Sequence, residues 1–170
     1  MARPAPATPG QATEHPERIA GTVYGTMVVL AAIAVGTDER NAWRLAVLVA
    51  SSALAIWLAH VYAHSLGESI EDGVQINRTR VSRIAHRELS IPLAAVVPCV
   101  LLVTGALGVL PESAAIWCAL GAGILTLGVQ GARYARIERV RGAPGLAVVL
   151  INVLLGLSIV GIKVFILLFH

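Results

Sequence analysis

Four ionisable residues fall four positions apart in the stretch Trp57–Asp72, WLAHVYAHSLGESIED: His60, His64, Glu68 and Asp72. On a continuing helix that spacing gives one slowly drifting stripe, so imidazoles and carboxylates would share a face. Two histidines at i and i+4 can bind the same metal ion, and Glu68, one turn on, can add an oxygen ligand. The same imidazoles can instead accept and pass protons, because histidine changes charge near neutral pH. His60, His64 and Glu68 are therefore the expected metal-binding set, with a divalent metal as substrate rather than resident cofactor. Proton exchange at the two histidines is the competing chemistry. The structural alternative is that both imidazoles rest at lipid-headgroup level, as Tyr62 and Tyr134 are expected to do. Gly67 weakens the case for helix beyond His64.

The stripe has to be positioned by a membrane-embedded framework. The chain has 170 residues, 56% hydrophobic and only 14% charged, whereas soluble domains average about 25% charged. That deficit excludes a water-soluble core as the main architecture. Apolar runs at 19–36, 43–65, 91–110, 114–132 and 145–169 predict an all-α bundle of five transmembrane helices. They leave no room for a separate soluble domain. Residues 1–17 carry Pro4, Pro6, Pro9 and Pro16 among small and polar residues and read as a disordered tail. Ala32-Ile33-Ala34 looks like a signal-peptide cleavage site. Tyr24, Thr26 and the Gly21/Gly25 pair favour a retained packing helix and suggest a homo-oligomer through small-residue faces.

The longest polar link opens acidic at Glu68, Glu71 and Asp72 and turns basic at Arg78, Arg80, Arg83 and Arg87. Val81, Ile84, Ala85 and Leu89 give it a short apolar face, which predicts an amphipathic cytoplasmic segment over 74–89 lying on the membrane surface. Arg80, Arg83 and Arg87 are its expected contacts with anionic lipid or a protein partner. Ser90 is the expected N-cap of the third span, and Pro98 should kink that span by freeing the carbonyl of Ala94. Pro111-Glu112-Ser113 makes a hairpin, and Gly142-Ala143-Pro144 ends one helix and begins the next. Asn152, Gly156 and Lys163 fall on one side of the last helix. Lys163 is expected near the outer surface, where snorkelling accounts for it.

Ten arginines lie in the tail, the second link and the fourth link, against Arg40 and Arg44 on the opposite side. The positive-inside rule then puts the N-terminus in the cytoplasm and the C-terminus outside, which suits five spans. The arginine-over-lysine and Ala/Val bias suggests a bacterial source, so the expected location is the inner (plasma) membrane. With this orientation Tyr24, His60, His64, Gln130 and Asn152, from four helices, reach similar depth near the cytoplasmic face. Such groups are costly in hydrocarbon and usually face one another or water, so a single polar pocket is expected there. Cys99 and Cys118, about 7 Å apart in depth if their helices form a hairpin, are expected as small buried residues rather than a disulfide.

No Walker loop, HExxH, paired-cysteine metal motif or GxSxG occurs, and no enzyme activity is expected. Arginines placed at segment ends suit lipid headgroups and give no reason to expect nucleic acid. The plan resembles the vacuolar iron transporter family over about 19–168. It shares five spans, a cytoplasmic N-terminus, a polar cytoplasmic segment after the second span and an Arg-rich link before a glycine-containing last helix. The resemblance implies iron gathering by carboxylates after the second span, where Glu68, Glu71 and Asp72 stand here. It also implies an acidic residue in the first span, where this chain has Tyr24-Gly25. Two functional expectations result. One is a small cation or proton-coupled transporter with a cytoplasm-facing pocket; the other is a non-transporting scaffold or accessory subunit that works through the basic segment.

Overall fold

A computed structural model describes residues 14–36, 41–73, 75–140 and 142–169, and every regular element among them is helical. The order is α1 (Glu14–Gly36), α2 (Ala42–Asp72), α3 (Arg78–Arg87), α4 (Ser90–Leu93), α5 (Val96–Ala106), α6 (Glu112–Ile137) and α7 (Ala143–Phe169). Four of the helices are long and apolar enough to cross a membrane, and a fifth span exists if α3–α4 and α5 together form one bent element. The tail 1–13, the link 37–40, Val74 and Arg141 lie outside the described residues, as do the side chains of Asp72 and Lys163.

α1 is the central element: it packs against α2, the α3–α4 turn, α6 and α7. Leu30 and Ile33 of α1, Leu45 and Val49 of α2, Leu102 of α5 and Leu120 and Leu127 of α6 are all but inaccessible and form a continuous apolar core. Outward faces are apolar as well, with Leu54, Leu58, Val100, Leu125, Leu154 and Ile162 exposed. An all-apolar girth is what a helix bundle in hydrocarbon requires, because lipid replaces water as the solvent of its outer surface.

α2 runs unbroken through Gly67, so the expected weakness there does not materialise. Asn41 caps its start by accepting from the Trp43 and Arg44 amides, and Gly73 ends it in the left-handed conformation at φ 63°. Its 31 residues correspond to about 46 Å at 1.5 Å each, against a hydrocarbon core of about 30 Å. The helix therefore exceeds the thickness of hydrocarbon, and α3 folds back onto its last turns. Ile84 is buried, Trp57 Nε1–H donates to the Ala85 carbonyl at 3.2 Å, and Arg80 Nη1 donates to the Glu68 carbonyl at 3.2 Å. The amphipathic segment thus turns its apolar face onto the protein, where the sequence suggested the membrane surface.

The third span breaks at Ala94–Ala95 and bends by 46°. This is one turn before Pro98, the position at which the proline ring displaces the i−4 carbonyl. α5 stops at Ala106, four residues short of the predicted end. Ser90 is not the N-cap: Leu89 occupies that position without a side-chain bond, and Ser90 is already helical.

The Gly21/Gly25 face is consumed inside the chain. A Cβ on Gly25 would lie 2.6 Å from the Ile91 carbonyl oxygen, and one on Gly21 would collide with Ser90 Oγ. Those glycines let α1 and α4 touch, so they are not available to join copies of the chain. Cys99 is half-buried with Sγ 3.8 Å from the Ala46 carbonyl, whereas Cys118 is exposed, not buried as expected; both are free thiols.

Candidate functional site

The expected polar pocket is divided by α1 into separate clefts. On one side, α1, α2 and the α3–α4 turn enclose about 390 Å³ lined by Tyr24, His60, His64, Glu68, Arg87 and Glu88. On the other, α1, the α3–α5 chain and α6 enclose about 410 Å³ lined by Arg18, Thr22, His86, Arg87, Ser90, Gln130 and Arg133 together with apolar side chains. A third, smaller cleft of about 210 Å³ between α1, α6 and α7 holds Gln130, Tyr134 and Asn152. Tyr24 and the histidines therefore meet one another, and Gln130 meets Asn152, but the two groups do not share a cavity. The cause is the close α1–α4 contact, which seats α1 between them.

Within the first cleft the helical stripe is real. The His60 ring lies 4.9 Å from the Tyr24 ring and 5.9 Å from the His64 ring, centroid to centroid. His64 Nδ1 lies 3.2 Å from the His60 carbonyl oxygen and 3.6 Å from Glu88 Oε1, so two oxygens face that ring nitrogen. Glu68 is engaged elsewhere: its Oε2 is 3.7 Å from Arg80 Nε and its Oε1 is 3.9 Å from Arg87 Nη1. A carboxylate facing two guanidinium groups is a poor third ligand for a cation bound to the histidines. Among the described residues, no group of three or more His, Cys, Asp or Glu side chains is placed to hold a metal ion. The expected ligand set of His60, His64 and Glu68 is thus corrected to a histidine pair flanked by Tyr24 and Glu88.

The basic segment is also rearranged. Arg80 and Arg87 turn toward Glu68, while Arg78 and Arg83 remain exposed. Of the three expected lipid or partner contacts, only Arg83 is on the outer surface without an ion pair to Glu68 drawing it inward. Asn152 Nδ2 donates to the Val148 carbonyl at 3.0 Å, a bond along its own helix, rather than to another member of the expected pocket.

Sequence reasoning missed Glu88 as the carboxylate beside His64 and the indole of Trp57 as the tether of α3. It also missed Arg18 and Arg133 as walls of the second cleft. Glu88 lies outside the four-residue repeat on α2, and its approach depends on α3 doubling back, which no local pattern announces. Arg18 and Arg133 were visible only as segment-end arginines.

No protein-family model matches this chain, and no curated protein or solved structure shows significant similarity to it. The fold and clefts define its class on their own: among the described residues, an all-helical protein with helices apolar enough to cross a membrane, an apolar core and polar clefts around one central helix.

Proposed function

We propose that the chain is a five-span protein of a bacterial inner membrane, N-terminus in the cytoplasm and C-terminus outside, that moves protons or a small cation through the Tyr24–His60–His64–Glu88 cleft. The observation that carries this reading is the approach of the four side chains, contributed by α1, α2 and the turn after α3, to the edge of the apolar core. Imidazole can take up a proton at one ring nitrogen and give one up at the other. Glu88 supplies an acceptor at the exposed end, and Tyr24 supplies a hydroxyl beside His60. Past them, Thr26, Val29, Val49 and Ala53 close the bundle, which corresponds to a state open to one side only. The bend at Ala94–Ala95 offers a joint about which α3–α4 could move relative to α5.

Reconstitution into liposomes loaded with a pH-sensitive dye tests the reading directly. After an imposed pH step, wild-type protein should collapse the gradient faster than protein-free vesicles, and the His60→Ala/His64→Ala variant should not. Wild-type vesicles as tight as empty ones, with and without monovalent or divalent cations, would sink it. A second reading, an accessory membrane protein holding a lipid or protein partner through its basic segment, is favoured by the outward placement of Arg78 and Arg83. Under that reading the histidine variant is silent, and loss of Arg83 is not.

A further inference from the structure

We infer that the cleft between α1, the α3–α5 chain and α6 is a binding site for one anionic phospholipid, its phosphate held by Arg18 and Arg133 and its acyl chain lying along Leu93 and Val97. Among the described residues no carboxylate lines this cavity, although three arginines and a histidine do. Arg87 spends part of its charge on Glu68 at 3.9 Å, which leaves Arg18 and Arg133, both exposed, as the main source of positive potential.

A separate observation points to a ligand. Gln130 is only 7% exposed, yet its side-chain Oε1, buried at the cavity wall, has no hydrogen-bond partner among the described groups. Ser90 Oγ, also at the wall, is buried and unpartnered too. Buried polar atoms without partners are rare and costly to leave unsatisfied. A ligand bearing hydroxyl donors, such as a glycerol-type headgroup, would satisfy Gln130 Oε1, whereas Ser90 Oγ is packed against Gly21.

The cavity also has the right profile for an amphiphile rather than a free anion. Leu93 and Val97 line it and are themselves 62% and 57% exposed, so the polar end opens sideways onto the apolar girth of the bundle. An inorganic anion would leave that apolar slope uncovered. A phospholipid standing in its leaflet would cover it while presenting its phosphate at arginine level, where anionic headgroups attract basic side chains.

Native mass spectrometry of the full-length protein, released from detergent with phosphatidylglycerol or phosphatidylcholine present at equal concentration, provides the test. One phosphatidylglycerol should be retained in preference to phosphatidylcholine. Arg18→Gln/Arg133→Gln should lower its retention roughly tenfold or more, as expected for the loss of charge-assisted hydrogen bonds. Arg136→Gln/Arg139→Gln removes the same charge from exposed positions outside the cavity and should leave retention unchanged. Equal loss in both double variants, or equal retention of the two lipids, would overturn the inference in favour of general surface attraction. Displacement of the lipid by millimolar inorganic phosphate would overturn it in favour of a simple anion site. Melting temperatures measured without added lipid should match wild type in both variants, which separates lost binding from lost folding. Liposome flux through the histidine cleft is a separate readout, so either idea can fail alone.

Discussion

The two large clefts flank the same helix at the same end of the bundle and have nearly equal volumes, yet their chemistry is opposite. Among the described residues, one gathers two histidines and two glutamates; the other gathers three arginines and no carboxylate. Arg87 lines both and reaches Glu68, so one charge is shared across the divide. Segregating the signs on either side of one helix puts Arg18 and Arg133 in a different cleft from Glu68 and Glu88. Composition alone would suggest a mixed polar rim. The arrangement instead shows that a helix contact of glycine-to-backbone intimacy can hold two unlike environments apart within a small bundle.

The contrast can be broken most strongly at the wall itself. Gly25→Ala places a Cβ against the Ile91 backbone and must push α1 from α4, a cost of about 1–3 kcal/mol. A lowered melting temperature together with loss of both lipid retention and proton flux is expected. Unchanged melting would mean that the close contact is not what separates the clefts. Truncating Ile84 to Ala should cost about 2 kcal/mol through lost burial and loosen α3. Faster amide exchange over 78–87 with α6 and α7 unaffected is the expected pattern.

Trp57→Phe removes one indole donor to the Ala85 carbonyl and should cost about 1 kcal/mol. It sharpens the comparison by loosening α3, which walls both clefts, while Arg18 and Arg133 of the arginine cleft stand on α1 and α6. Glu68→Gln should cost less than about 1 kcal/mol, because its ion pairs are partly exposed. Its more telling effect is on the neighbouring cleft: removing the carboxylate from Arg87 should raise phosphatidylglycerol retention, and an unchanged or lower value would refute the shared-charge account. The smallest perturbation is chemical labelling without mutation. A membrane-permeant maleimide should modify exposed Cys118 well before half-buried Cys99; the reverse order would contradict the packing of α5 against α2.

The helices were legible in the sequence because hydrocarbon imposes a strong, local signal, and each apolar run is long enough to read by itself. On α6, Ala119, Gly123 and Gln130 recur at helical period and are buried, with Thr126 half-buried beside them. The break near Ala94 followed from one proline. The site was less legible. His60 and His64 could be found from spacing, but their real neighbour Glu88 is brought in by a turn whose direction depends on where Ile84 and Trp57 find partners. Gly21 and Gly25 announced a close helix contact without saying whether the other helix belonged to the same chain. The division of the pocket by α1 is a three-dimensional fact with no counterpart in any one segment.

The clasp between the end of α2 and α3 also has a bearing on the order of assembly. Arg80 reaches the Glu68 carbonyl across 12 residues, and the Arg87 pair with Glu68 spans 87 − 68 = 19. Loops this short close at small entropic cost, well before the later hairpin of α5 and α6 has been synthesised. The clasp can therefore set as soon as this stretch emerges. It holds Arg80 and Arg87 beside Glu68 and gives α4 a fixed starting point next to the end of α2.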